Sequence, residues 1–514
     1  MEQILTADPS HPAIIMALSG ETITHGELEA RANRIAHLLR AVGLKRGDHF
    51  AVFMENHPRY IECGTAGERA GLYYTNVNSY LMPSELAYII NNSLSQILIT
   101  SQSHLAVARE ALRECPQVKL CLVVDGPGDG DAVRNLDEAT AALPDTPIPD
   151  ESKGWAMLYS SGTTGQPKGI LRPLADTSAR ELTPLEAAFA RFWDIRKGET
   201  CLVPAPLYHS APWGEAALTI SLNGTAVVME RFDEEGALRA IEKYRVTHAQ
   251  FVPTMFSRML KLPPEVRARY DLSSLRYVLH GAAPCPIPVK QAMIDWLGPI
   301  VHEYYSATEA LGLAMCDSEQ WLAHKGTVGK AVYGEVHVLD AEMREVPPGT
   351  VGKLWFKTAY AFEYFNDPEK TAAANSPDRA MSTVSDIGYV DEEGFIYLTD
   401  RASFMIISGG VNIYPQECEN LLATHPKVRD AAVFGAPNEE MGEEVKAVVQ
   451  LMPNVEPGPE TEAELIAFCR KHLAHMKCPR SIDFEDDFPR LPTGKLYKTA
   501  LHERHWKGHK SRIL

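Results

Sequence analysis

Residues 159–169, YSSGTTGQPKG, set small hydroxyl residues and glycines ahead of a lysine. Gly162 and Gly165 allow tight or positive-φ backbone, so successive N–H groups can face an anion. Ser160, Ser161, Thr163 and Thr164 add hydroxyl donors, and Lys168 adds a positive charge. By residue type this is a phosphate cradle. It is not a Walker A loop, because Pro167 stands where the second glycine should be and Gly169 where a Ser or Thr should follow the lysine. Other chemistries find little support. HEYYS at 302–306 lacks the second histidine of a zinc HExxH helix, and the serine-rich loop has no GxSxG elbow.

Seven further strings follow in order. PLYHS at 206–210, GAAP at 281–284, YYSATE at 304–309 and GTVG at 326–329 come first. SDIGYVDEEGFIYLTDR at 385–401, ISGGVNIYPQECE at 407–419 and LPTGK at 491–495 complete the set. Together with the phosphate loop, the set resembles the signature of the adenylate-forming superfamily. That superfamily includes acyl-CoA synthetases, peptide-synthetase adenylation domains and firefly luciferase. The chain looks most like its bacterial CoA ligases for fatty or bulky acids.

The resemblance implies roles residue by residue. Tyr305 stacks on adenine, Thr308 reaches the phosphate, and Glu309 helps to hold Mg2+ together with Thr164. An aromatic face, a hydroxyl and a hard oxygen ligand suit those three partners. Gly281, Ala282 and Ala283 join the nucleotide set. Asp386 accepts from both ribose hydroxyls, a charge-assisted arrangement, and Arg401 contacts the ribose at the domain junction. Gly409 and Gly410 line the channel for the thiol of coenzyme A. His209 borders the acyl site and that channel. Lys495 is the catalytic lysine: two anions, a carboxylate and the α-phosphate of ATP, must approach each other, and a cation between them stabilises the transition state. Three positions depart from the pattern. Ser306 stands where relatives often carry glycine, Val384-Ser385 replaces the usual Thr-Gly before Asp386, and Ser403 occupies a hinge position that is commonly Asp or Lys.

The implied activity is ATP-dependent activation of a carboxylic acid to acyl-AMP, followed by transfer to coenzyme A. Two candidate acyl walls are apolar: APWGEAALTISLNG with Trp213, and QFVPTMFSRML at 250–260 with Met255, Phe256 and Met259. No fixed charge for an α-ammonium group is apparent in them. The set points to a hydrophobic acid, whether fatty, aryl-alkyl, alicyclic or steroid-type. Two alternatives stay open: loading of a carrier protein, and a non-catalytic nucleotide-binding relative.

The elements that must hold these residues are legible in outline. Thr24 and Glu27 form a capping-box pattern. Leu28, Ala32, Ile35, Leu39 and Val42 then repeat at helical spacing over 22–43, and Gly43 stops the helix. Strands are predicted at GDHFAVFM, QILITS, LCLVVD and AVVME, with helical patterns between several of them. This alternation predicts an α/β fold with largely parallel sheets. After residue 400 the pattern becomes α+β, with strands at AAVFGAP and KAVVQLM and a helix at 460–474. The expected domains are a large N-terminal one, 1–401, built of stacked, mostly parallel sheets, and a small mobile C-terminal one, 402–514, with the hinge near 401–404.

Composition bounds the rest. Of 514 residues 45% are apolar and 23% charged, so the chain is globular rather than disordered. Fifty basic and 67 acidic residues give a net charge of −17, which disfavours general binding to nucleic acid or anionic membrane. The apolar runs fall short of a membrane span, and the first residues do not read as a signal peptide. Nine scattered cysteines without a CxxC pair fit a reducing cytoplasm. The closing HERHWKGHKSRIL is expected to be solvated, and oligomeric assembly is left open.

Overall fold

The computed structural model describes residues 8–130, 132–160, 167–359, 362–401, 405–408, 411–438, 441–490 and 496–506. The chain divides into two units. The first comprises Met1–Phe251, Lys261–Leu279 and Phe362–Thr371; the second comprises Val252–Leu260, His280–Ala361 and Ala372–Leu514.

The first unit is organised around an all-parallel sheet with the order Val133–Asn135, Leu120–Val124, Ile97–Ser101, His49–Phe53, Tyr73–Val77, Trp155–Ala156. Its central strands are buried throughout, which explains why they read as continuous apolar runs rather than alternating ones. Successive residues still serve opposite faces. Phe50, Val52, Ile97, Ile99 and Leu122 enter one core with helices His25–Ala41 and Pro58–Arg69. Ala51, Phe53, Leu98, Cys121 and Val123 enter another with helices Pro83–Asn92 and Leu105–Leu112.

The helix expected over 22–43 spans His25–Ala41. Thr24 Oγ1 accepts from the Glu27 N–H at 3.2 Å, while Glu27 Oε2 accepts from the Thr24 N–H at 2.9 Å, so the predicted capping box is formed. A second run of strands in this unit has the order Tyr277–His280, His248–Phe251, Thr200–Val203, Thr225–Val228, Pro12–Met16, Thr22–Thr24. A small antiparallel sheet, Leu158–Ser160, Lys168–Leu171 and Glu363–Tyr364, frames the phosphate-loop sequence.

Strand pairs in the second unit are mostly antiparallel, which the sequence pattern did not reveal; Ser481–Phe484 pairs in parallel with Gly442–Leu451. One sheet has Val301–Ser306, Leu313–Cys316 and Lys330–Tyr333 side by side. Another has the order Glu335–Leu339, Gly352–Lys357, Asp386–Val390, Ile396–Arg401. Toward the C-terminus, the expected strand pair is Val428–Asn438 and Gly442–Leu451, and the expected helix is Pro459–His472. Of the closing HERHWKGHKSRIL, residues 502–506 are described: they continue helix Lys498–Trp506, with Glu503 and Arg504 exposed. Leu501 is fully buried, and Trp506 Nε1 donates to the Gly435 carbonyl at 2.8 Å. All nine cysteines are free thiols, and eight of them are buried.

Burial holds the His49 imidazole down at about 4, where it stacks on Tyr73 with ring centroids 4.8 Å apart. A histidine depressed in the folded state stabilises it fully above its unfolded value of about 6.5, and that contribution is lost as pH falls toward 4. The unfolding free energy of the wild type relative to His49→Gln is therefore expected to shrink by about 1.4 kcal/mol per pH unit in that window. Urea titrations across it check this; a pH-independent difference would contradict it.

Candidate active site

Two groups of the expected residues lie in the second unit, on strands and the turns that follow them. Strand Val301–Ser306 ends in the turn that carries Thr308 and Glu309. Ser306 Oγ donates to the Gly312 carbonyl at 2.7 Å, and the Ala310 N–H donates to Ala307 O at 2.8 Å. The hydroxyl that departs from the family pattern thus closes the loop holding these two residues. A Cβ on Gly312 would strike the Phe356 ring, so this close approach requires glycine. Glu309 is buried, 6% exposed.

Tyr305 and Asp386 meet directly: the phenol O–H donates to Asp386 Oδ2 at 2.7 Å. Phe356 packs beside Tyr305, its ring centroid 6.0 Å away. Asp386 opens strand Asp386–Val390 and lies opposite Arg401 in the antiparallel pair, which aligns the two residues expected at the ribose. Ser385 adopts φ +65°, and its N–H donates to Thr383 Oγ1 at 2.9 Å. The serine therefore takes the left-handed conformation for which glycine is better suited. In the GAAP turn, a Cβ on Gly281 would come within 2.5 Å of the Tyr304 ring. Ala282 is exposed with φ +68°, and Ala283 is half-buried.

In the first unit, Lys168 pairs across the hairpin with Ser160, at the base of the loop. Its ammonium lies 4.6 Å from the Tyr364 ring centroid. Tyr88 O–H donates to the Pro167 carbonyl at 3.1 Å, and Tyr159 O–H donates to Asn92 Oδ1 at 2.6 Å, so helix Pro83–Asn92 anchors both strands of the hairpin. His209 caps helix Ser210–Ser221 with extended backbone, and its ring lies 4.3 Å from that of Tyr208. The segment before it is held by Asn56: Oδ1 accepts from the Leu207 N–H at 2.8 Å, and Nδ2 donates to Ala205 O at 3.2 Å.

Ser161, Gly162, Thr163, Thr164, Gly165, Ser403, Gly409, Gly410 and Lys495 lie outside the described residues, as do the side chains of Ser160 and Arg401. The strands flanking the two glycines, Ile406–Ser408 and Val411–Ile413, are described and pair with Ser408 opposite Val411. Among the described residues, no group of three or more His, Cys, Asp or Glu side chains is arranged to hold a metal ion.

The residues named from the two candidate acyl walls are buried. Trp213 is 5% exposed, packs beside Tyr60 and Tyr74, and donates to Tyr74 O–H at 3.1 Å. Met255, Phe256 and Met259 are buried on helix Pro253–Leu260.

Residues 1–364 match the AMP-binding enzyme family, and residues 417–495 match the AMP-binding enzyme C-terminal domain. The chain is 32% identical to the fatty acid–[acyl-carrier-protein] ligase ScoC of Streptomyces coeruleorubidus, over 97% of this chain and 94% of that one. It is 32% identical to a feruloyl-CoA synthase of an Amycolatopsis species, over 94% of each. Its fold matches ATP-bound MatB from Rhodopseudomonas palustris with a TM-score of 0.81 and 28% identity, covering 98% of this chain and 97% of that one. The chain belongs to the AMP-binding enzyme family and is an AMP-forming acid ligase of the acyl-CoA synthetase type.

Tyr305→Phe removes the 2.7 Å bond to Asp386 but keeps the aromatic face. Such a bond contributes about 1 kcal/mol, so AMP affinity is expected to fall roughly fivefold. Tyr305→Ala should lose more, because the ring is gone as well. Calorimetric titration with AMP checks both, and equal affinity in all three proteins would contradict the assignment.

Proposed function

We propose that the protein couples ATP to the activation of a hydrophobic carboxylic acid and passes the acyl group to coenzyme A. A free carboxylate is a poor acyl donor, since it is negatively charged and has no good leaving group. Its oxygen attacks the α-phosphate of ATP, the bond to pyrophosphate breaks, and acyl-AMP forms. The thiolate of coenzyme A then attacks the acyl carbon and AMP leaves.

The observation that carries this reading is the contact between Tyr305 and Asp386. It fixes an aromatic face beside a carboxylate, the pairing that a purine riboside needs. Lys168 and the hydroxyls of residues 160–164 hold the terminal phosphates. Glu309, with Thr164, is the oxygen donor set for Mg2+. One buried carboxylate and one hydroxyl suit that ion, which keeps several waters and takes its other ligands from phosphate. Bound there, Mg2+ would neutralise charge on the departing pyrophosphate.

Lys495 bridges carboxylate and α-phosphate in the first step. In the second, a C-terminal part, 402–514, turns about residues 401–404 against the N-terminal part, 1–401. Gly409 and Gly410 then face the thiol. Steps of this kind commonly limit turnover. No helix among the described residues is long and apolar enough to cross a membrane, and the nine free thiols fit a cytoplasmic setting. A carrier protein is the second acceptor to test, because one relative is a ligase for acyl carrier protein.

Lys495→Ala is expected to abolish ATP–pyrophosphate exchange while sparing thioester formation from supplied acyl-AMP. Equal loss in both half-reactions would overturn the role given to this lysine. A panel of fatty, aryl-alkyl and alicyclic acids in a pyrophosphate-release assay identifies the acid class. Coenzyme A and holo-carrier protein, offered separately, identify the acceptor.

A further inference from the structure

Strand Val301–Ser306 carries Glu303 two residues before Tyr305, and therefore on the same face. Glu303 is 4% exposed, and its carboxylate accepts from Lys290 Nζ at 2.6 Å. Lys290 is fully buried. Its ammonium also lies 4.9 Å from the Trp321 ring centroid and 3.8 Å from Cys316 Sγ. His280 Nε2 lies 3.5 Å from the same Glu303 oxygen, and the His280 ring packs edge-on against Phe256. Three pieces of chain thus converge on one carboxylate. His280 immediately precedes Gly281, Ala282 and Ala283; Lys290 lies on helix Ile287–Leu297, just after that turn; and Glu303 leads into Tyr305, Thr308 and Glu309.

Stability alone is a weak reason for such a pair. Taking two charges out of water is so unfavourable that well-packed apolar residues of similar volume often stabilise a fold as much or more. What an ion pair adds is direction. The short contact can form only in one register of helix against strand, and a one-residue slip would turn Tyr305 away from Asp386.

We propose that Lys290 and Glu303 are positioning residues for the nucleotide, setting the strand so that Tyr305 reaches Asp386. The inference rests on the nucleotide site described above. It places the effect of the pair on nucleotide affinity more than on the chemical step.

Burial pushes the Glu303 carboxyl up, and Lys290 opposes that shift. The other titratable groups facing it are His280, held well below its ordinary value by burial and by Lys290, and the Cys285 and Cys316 thiols, both pushed up by burial. His302 is its neighbour on the strand. Lys290→Met would leave Glu303 without its cation. Its carboxyl would rise further, so the site is strained when ionised at high pH and relieved when protonated at low pH.

The test uses the full chain, with AMP as the binding probe and ATP as the varied substrate. Lys290→Met is expected to weaken AMP binding about tenfold near pH 8, with recovery toward pH 6. Lys290→Met with Glu303→Gln has no such titration. It should bind AMP about fivefold more weakly than wild type at every pH, with raised KM for ATP and nearly unchanged kcat. Lys290→Arg should restore binding.

Wild-type AMP affinity and KM in the folded double variant would overturn the proposal. So would a kcat that falls as far as kcat/KM, or a Lys290→Met defect that ignores pH. Should the double variant not fold, Glu303→Asp decides: a raised KM for ATP at unchanged kcat supports the proposal, and an unchanged KM overturns it. Failure of the wild type itself to bind AMP would count against the nucleotide reading instead.

Discussion

A single hydrogen bond joins two parts of the chain that are 81 residues apart: Tyr305 O–H to Asp386 Oδ2, at 2.7 Å. The rest of the second unit is arranged to make that contact possible. Tyr305 sits at the end of one antiparallel sheet and Asp386 at the start of a strand in another. Phe356, from the strand between Glu335–Leu339 and Asp386–Val390, fills the space beside the phenol. A carboxylate has about four acceptor directions, and Tyr305 takes one. Its charge is 7% exposed, so whatever donor it meets is bound in a medium where hydrogen bonds to ions are strong.

The phosphate-loop sequence is supported differently. Its flanking strands are short, and a two- or three-residue antiparallel pair is weak on its own. Here the hairpin is pinned from the side by Tyr88 and Tyr159, which tie Pro167 and Asn92 together across helix Pro83–Asn92 and strand Leu158–Ser160. Asn366, next to strand Glu363–Tyr364, donates to the Asn92 carbonyl at 3.3 Å.

The sequence disclosed the parts whose signal is local. A capping box at Thr24 and Glu27, fully apolar strands at Phe50–Val52 and Leu98–Ile99, and the motif strings all depend on neighbours a few residues away. The contact between Tyr305 and Asp386 joins two strings that the motif order had already singled out. The antiparallel sheets of the second unit were not legible, since pairing partners as distant as Gly352 and Gly388 leave no short-range periodicity. Trp213 and Phe256 carry a two-sided signal for a related reason. A large apolar side chain has the same sequence appearance whether it lines a substrate pocket or fills a core. Lys290 and Glu303 gave no signal at all, because a charged residue in a helix or strand normally marks the solvent face.

Three positions in the turns of the second unit share one physical feature. Ser385, Ala282 and Ala310 all have positive φ, at 65°, 68° and 45°, and each adjoins a residue assigned to the site. A side chain in the left-handed region costs about 1 kcal/mol relative to glycine. Such strain persists only where surrounding contacts over-determine the backbone. Those contacts are visible: Thr383 Oγ1 accepts from the Ser385 N–H, and Ser306 Oγ bridges to Gly312 across the Glu309 turn. At Ser385 the chain therefore keeps a left-handed backbone without the glycine that would make it easy. There a side-chain hydrogen bond, from the Ser385 N–H to Thr383 Oγ1, stands in for glycine's conformational freedom.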